Sequence, residues 1–192
     1  MIRATFTSDF ASRMKARMSP QRMTAAKKDA GRTVAQYLRQ HYRAKDKKEP
    51  NALGGDRTHF WNQIGQSVGL DVKVAGNVVA IPIRDKRFPQ KLYGGPIVPK
   101  RAQALTIPVH PAAHGRTAAV IASKVGGLFI VKSGGDAFLA NKTGGRLTFY
   151  FMLKRRVVQR PWPGSLPSKR GMQLVFARAM KREVVTRMRR RA

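Results

Sequence analysis

Apolar and polar residues alternate at the start of the chain. Ile2, Ala4 and Phe6 are separated by Arg3 and Thr5, the two-residue period of a half-buried strand. From Asp9 the period lengthens: Phe10, Met14 and Met18 lie four apart, and Ser19-Pro20 then supplies an N-cap and a proline at the first helical position. A long helix is predicted from there to about Arg43. Ala26, Ala30, Val34, Tyr37 and His41 share one face, with Lys27, Lys28, Arg32, Arg39 and Arg43 largely off it. Lys45-Asp46-Lys47-Lys48 before Pro50 reads as a polar linker. Phe60, Ile64 and Val68 repeat every four residues, which predicts a short amphipathic helix over 58–68, with Trp61 beside the stripe and Asp56 or Thr58 as its cap. Residues 71–75 and 77–84 read as a hairpin about Gly76-Asn77, and Pro82 demotes the second strand to an edge or a bulge.

Residues 92–111, LYGGPIVPKRAQALTIPVHP, hold four prolines, a glycine pair and one short apolar run. Proline removes a backbone donor and fixes φ, which argues against a helix or a central strand here. The stretch is also too apolar for a flexible linker. One reading is a long surface loop. The sharper one is an extended arm over 85–116 that a neighbouring subunit covers, with Leu92, Tyr93, Gly94, Gly95, Ile97, Pro99, Leu105, Ile107 and Pro108 at the interface.

Beyond it, 117–123 and 128–132 read as β-rich runs joined across Gly126-Gly127, and 147–153 (LTFYFML) as a buried central strand. Arg160-Pro161-Trp162-Pro163-Gly164 breaks the chain. Pro167-Ser168 then opens a last helix to about Met188, with Met172, Phe176, Met180, Val184 and Met188 four apart. The pattern gives one α+β domain over 1–192. A small, mostly antiparallel sheet is packed by a long N-terminal helix and a C-terminal helix, with a long extended Pro/Gly arm and a basic tail at 186–192.

Charge changes the picture more than composition does. The 39 Lys and Arg against 9 Asp and Glu leave +30. Residues 1–48 carry 13 basic and 3 acidic side chains, 49–153 carry 13 and 5, and 154–192 carry 13 and 1, so the ends are the denser. Such a chain repels itself, and a polyanion or an acidic protein is expected beside it. The residues picked to face DNA or an acidic partner are Lys27, Lys28, Arg32, Arg39, Arg43, Arg187, Arg189, Arg190 and Arg191. There is no cysteine, which excludes disulfides and thiolate zinc sites. No apolar run approaches the roughly 18 residues of a membrane span, and the start lacks the apolar block of a secretory signal.

Candidate chemistry is thin. His110 and His114 are four apart across Pro111, but such a pair ligates metal from a helix, and Pro111 with Gly115 opposes one. Asp56 with His59 would make an acid–base pair, although Asp56 suits a helix cap better. Gly94-Gly95 lacks the Gly-Lys-Ser/Thr of a phosphate loop. The chain therefore reads as a non-enzyme with neither cofactor nor metal.

Three stretches carry a family resemblance. They are Gly54-Gly55-Asp56-Arg57 before Thr58-His59-Phe60-Trp61; Tyr93-Gly94-Gly95 with Pro99-Lys100-Arg101-Ala102 and Ala104-Leu105-Thr106-Ile107-Pro108; and 151–157 leading to Pro161, Pro163 and Leu166-Pro167. In this order, over about residues 20–185, the chain resembles the phage virion morphogenesis proteins, a group similar to tail-completion and minor tail proteins of tailed bacteriophages. The resemblance implies a structural virion protein at the head–tail junction (the neck) or the tail end, assembled in the host cytoplasm. It implies a homo-oligomeric ring, often a hexamer or dodecamer, that joins other neck or tail proteins and lines the DNA channel without reading sequence. It implies no catalytic site. The basic termini and the Gly-rich 126–145 segment depart from the family pattern. Two readings from other classes stand beside it: a ribosomal or chromatin-like nucleic-acid-binding protein, and a basic nuclease resting on charge and His59.

Overall fold

The computed structural model describes residues 2–5, 19–49 and 53–189. Its elements run β1 (Ile2–Thr5), α1 (Pro20–Lys48), α2 (Phe60–Ser67), β2 (Lys73–Ala75), β3 (Val78–Ile81), α3 (Phe88–Tyr93), β4 (Gly95–Ile97) and β5 (Leu105–Pro108). A 3-10 turn (Pro111–Ala113) follows, then α4 (Ala118–Val125), β6 (Phe129–Ser133), β7 (Asp136–Thr143), β8 (Arg146–Lys154), β9 (Val157–Gln159) and α5 (Lys169–Arg189). The chain is α+β, with small antiparallel sheets, a long N-terminal helix and a C-terminal helix. The chain divides into two compact units: Met1–Lys48 with Phe60–Phe88 and Pro163–Ala192, and Glu49–His59 with Pro89–Trp162. The helical stripe expected over Phe10, Met14 and Met18 lies outside the described residues.

In the first unit, α1 is the organising element. Met23, Ala26, Ala30, Val34, Leu38 and Tyr42 are buried on it. The predicted stripe passed through Tyr37 and His41, which are only half-buried. The buried row keeps stepping by four, a line inclined across the helix surface, because α1 changes neighbours along its length. Its first half meets Val184, Met180 and Met188 of α5. Further along, the Tyr42 ring lies parallel to Trp61 of α2 at 5.9 Å and edge-on to Phe88 at 5.9 Å. Gly31 is buried against the β2–β3 hairpin, where a Cβ would stand 2.6 Å from Val72 and 2.8 Å from Val79. The expected linker Lys45-Asp46-Lys47-Lys48 is the last turn of α1. Cations there oppose the negative end of the helix dipole, so the run prolongs the helix and does not end it. β3 sits between β1 and β2, and Pro82 falls just past its end.

The second unit holds the remaining sheets, β4–β9 and β5-β8-β7-β6. The β6–β7 and β7–β8 turns are Gly134-Gly135 and Gly144-Gly145, all four with positive φ, as two-residue hairpin loops of the favoured twist require. Residues 117–123, read as a β-rich run, fall instead on α4 and its N-cap. The Thr117 hydroxyl accepts from the Val120 N–H at 3.4 Å, and Gly126 closes the helix in the left-handed region at φ 76°. Cap chemistry and three alanines outweigh three β-branched residues in so short a run. Asn141 of β7 donates to the carbonyls of Val125 and Gly127, both at 2.9 Å, and so fixes the end of α4 to the sheet.

This sheet has two unlike faces. Phe151 and Leu139 lie over Ile121 of α4 and Ala113 of the 3-10 turn, which is the core of the unit. Cross-strand partners share a face. On the opposite one, Phe129, Ala140 and Phe149 are in register, and beside them Val131, Phe138, Met152 and Ile107. The Phe138 and Phe149 rings are 5.0 Å apart. Ala140 is buried beneath its neighbours, but Phe129 is 46% exposed and Leu147 39%, with the other large side chains half-buried. β8 is an interior strand, as 147–153 suggested, with Phe151 buried on one face, although Ile130, in register with Leu139 on that same face, is 64% exposed.

Candidate partner and nucleic-acid surfaces

The stretch expected to be an extended arm over 85–116 is folded onto its own chain. Leu92 and Tyr93 end α3, Gly95 and Ile97 pair with Gln159 and Val157, and Leu105, Ile107 and Pro108 pair with Lys154, Met152 and Phe151. The proline rule holds in its weaker form: β5 is an edge strand of its sheet and β4 one strand of a two-stranded ribbon, where a missing donor costs little. Gly94 enters β4 at φ 68°, and a Cβ on it would lie 2.5 Å from the Gln159 carbonyl. The crossing of the two segments therefore requires glycine. Pro99 lies between β4 and β5. Of the predicted contact residues, Tyr93 stands well out of the surface at 72% exposure, and Val98 beside them is 54% exposed; the others are half-buried. Lys91 and Trp162 anchor this segment. The Trp162 N–H donates to the Lys91 carbonyl at 2.8 Å, and the Lys91 ammonium lies 4.5 Å from the indole centroid. Burial against that ring lowers the Lys91 pKa, and the Glu49 carboxylate partly offsets it.

The predicted basic surface divides. Lys28 and Arg43 are exposed on α1. Arg32 is half-exposed and bonded to Asp29 at 2.8 Å, a surface pair of small energetic weight. Three others hold the fold together instead. Arg39 donates to the Val68 carbonyl at 3.1 and 2.6 Å, tying α1 to the end of α2. Lys27 donates to the Gly76 carbonyl at 2.7 Å and to Asn77 at 3.2 Å, closing the β2–β3 turn. Arg187 bonds Asp29 and lies 3.8 Å from Glu183, between α5 and α1. Arg190 and Arg191 lie outside the described residues, as does the side chain of Arg189. Sequence could not sort these cations, because the carbonyls that bind Lys27 and Arg39 are 49 and 29 residues away. Exposed cations that the pattern did not single out include Lys169, Arg170, Arg178, Lys181 and Arg182 on α5.

A clasp was also missed. Lys45, His41 and Tyr42 of α1 engage the consecutive carbonyls of Pro163, Gly164 and Ser165, each at 3.0 Å. The sequence signal was the break at Pro161-Trp162-Pro163-Gly164, whose carbonyls have no ladder to join. Burial holds the Tyr42 phenol well above its ordinary range.

His110 uses Nδ1 to accept the Ala112 N–H at 3.2 Å, a capping role, and its ring lies 4.9 Å from that of Tyr150. Among the described residues no group of His and carboxylates is placed to hold a metal ion, and no helix is long and apolar enough to cross a membrane. Comparison with known proteins finds no matching family model, no matching curated protein and no matching solved structure.

Proposed function

We propose that the protein is a non-enzymatic structural subunit of a tailed-bacteriophage virion, forming a ring at the head–tail junction or the tail end and lining the channel for DNA. One observation supports assembly above the others: a chain of +30 that carries Phe129, Leu147, Phe149, Met152 and Ile107 on a half-open sheet face. An apolar surface of this breadth is costly in water and is of the kind that another molecule covers. A second copy of the chain is the occupant this reading assigns, because the phosphate backbone of a DNA duplex offers no apolar surface to match this face. The sequence resemblance supplies the virion setting, and two of its three stretches meet in the β4–β9 ribbon. The cations exposed on α1 and α5 suit a channel through which DNA slides, since phosphate contacts hold a duplex without reading its bases.

The same exposed cations favour a second reading, a ribosomal or chromatin-like nucleic-acid binder. Negative-stain electron microscopy of the purified protein, alone and with tail or portal partners, separates the two. Discrete rings are expected. Particles of single-chain size that bind RNA tightly and release it in salt would favour the second reading and overturn the first.

A further inference from the structure

The two-stranded ribbon β4–β9 of the second unit keeps one face open. Exposure alternates along both strands and their flanks. Arg156, Val158 and Arg160 are exposed where Val157 and Gln159 are half-buried, and Pro96, Val98 and Lys100 are exposed where Ile97 and Pro99 are half-buried. That two-residue period puts the six exposed residues on one side of the ribbon, and the register agrees, since Pro96 lies opposite Val158. We infer that this face binds single-stranded nucleic acid, with phosphates on its cations and unstacked bases on Tyr93 and the apolar positions. Neither the half-open sheet nor the cations of α1 and α5 include these residues.

Charge selects a polyanion. Lys100, Arg156 and Arg160, with Arg101 and Arg155 beside them, have side chains that make no ion pair or hydrogen bond among the described residues. In this they differ from Lys27, Arg39 and Arg187, which the fold itself uses. No Asp or Glu falls between Asp85 and Asp136, or between Asp136 and Glu183. Asp136 is taken by Lys154, while Glu49 accepts from the Trp162 N–H at 3.3 Å and acts on Lys91. A row of cations left unneutralised gains by releasing counterions from phosphates. Arg156 and Arg160 are separated by about 13 Å of extended chain, so they reach separate phosphates.

The apolar half of the face selects a single strand over a duplex. Tyr93 is 72% exposed, Val158 64% and Val98 54%. Gly94 sets Tyr93 at the Arg160 end of the ribbon, since a Cβ on Gly94 would lie 2.8 Å from the Pro161 nitrogen. Among the described residues the Tyr93 ring has no ring or cation contact to give up. The bases of a duplex are stacked on one another and show their edges in the grooves. A single strand offers base faces, on which aromatic rings and guanidinium planes stack whatever the sequence.

Fluorescence anisotropy of a labelled oligothymidylate titrated with the full chain tests this. Saturable binding is expected, weakened about tenfold in Tyr93→Ala and retained in Tyr93→Phe, because the ring stacks and the hydroxyl does not. Arg156→Ala with Arg160→Ala is expected to weaken it further. That pair should also reduce the slope of log affinity against log salt by about 1.4, the share of two phosphates on a single strand. Lys142→Ala with Arg146→Ala removes the same charge from exposed positions at the β7–β8 turn and is expected to change little. An abasic oligomer of equal length should bind the parent and Tyr93→Ala alike. Every substituted side chain is exposed, so circular dichroism should show each variant folded. Equal losses in the two double variants, or an affinity indifferent to Tyr93→Ala, overturns the proposal. So does a duplex of equal length that binds more tightly than the single strand and loses as much in Tyr93→Ala. A glutamate-rich peptide that binds the parent more tightly than the oligomer, and is lost in the Arg156 and Arg160 variant, would give the face to an acidic protein and overturns it too. Particle size reads ring formation separately, so either proposal can fail without the other.

Discussion

At the scale of single residues, several cations act as cross-links. Arg39 spends its guanidinium on a main-chain carbonyl, so Arg39→Ala should cost about 1.5–3 kcal/mol of folding stability in urea titrations, the usual worth of a hydrogen bond to a charged group. Lys28→Ala and Arg43→Ala should leave stability within about 0.5 kcal/mol and weaken DNA binding instead. Equal stability effects at all three positions would show that the cations do not divide as described. Tyr42 links burial to pH. Its phenol has a raised pKa in the fold, so the stability it contributes is fully present below its ordinary pKa of 10.0 and is lost as pH climbs above it. Unfolding curves from pH 8 to pH 11 should fall less steeply for Tyr42→Phe than for the parent chain. The parent should nevertheless be the more stable at neutral pH, through the bond to Ser165. Parallel curves would mean that the phenol is not desolvated.

At the scale of elements, what the sequence revealed followed how local each cause was. Caps, four-residue stripes and glycine turns lie within a few positions of what they control, so α1, α2, α5 and the β2–β3 hairpin were legible. The phase of the α1 face beyond Val34 was not, because Trp61 and Phe88 set it from elsewhere in the chain. Nor was α4, a helix of eight residues in which one cap residue outweighs periodicity. Thr117→Ala should therefore cost about 1 kcal/mol and lower the helical signal of the second unit. The pairing of the 92–111 segment with its own chain was not legible, because proline excludes only a central strand and the partner strands β8 and β9 come about 50 residues later. Deleting residues 93–108 should accordingly abolish the β5-β8-β7-β6 sheet, seen as lost β signal by circular dichroism. A deletion variant that kept the sheet would restore the arm as a free strap.

At the scale of the molecule, high charge and open hydrocarbon impose opposite demands. Like charges keep copies apart, whereas the Phe129–Phe149 face rewards bringing them together. Salt should tip the balance, because screening shortens the repulsion and leaves the apolar contact intact. Assembly is therefore expected to strengthen with added sodium chloride as DNA binding weakens. The candidate site was legible only as a sum of charges and a handful of histidines. Which cations face outward, and that one sheet face stays half-open, depend on strand register, which no local pattern encodes. The most direct measurement is the solution mass by light scattering of the parent chain beside Phe129→Asp with Leu147→Asp, two half-exposed positions on that face. A multimer of defined mass is expected for the parent and a folded single chain for the double variant. A parent that is a single chain, or a double variant that assembles as before, would contradict the proposal.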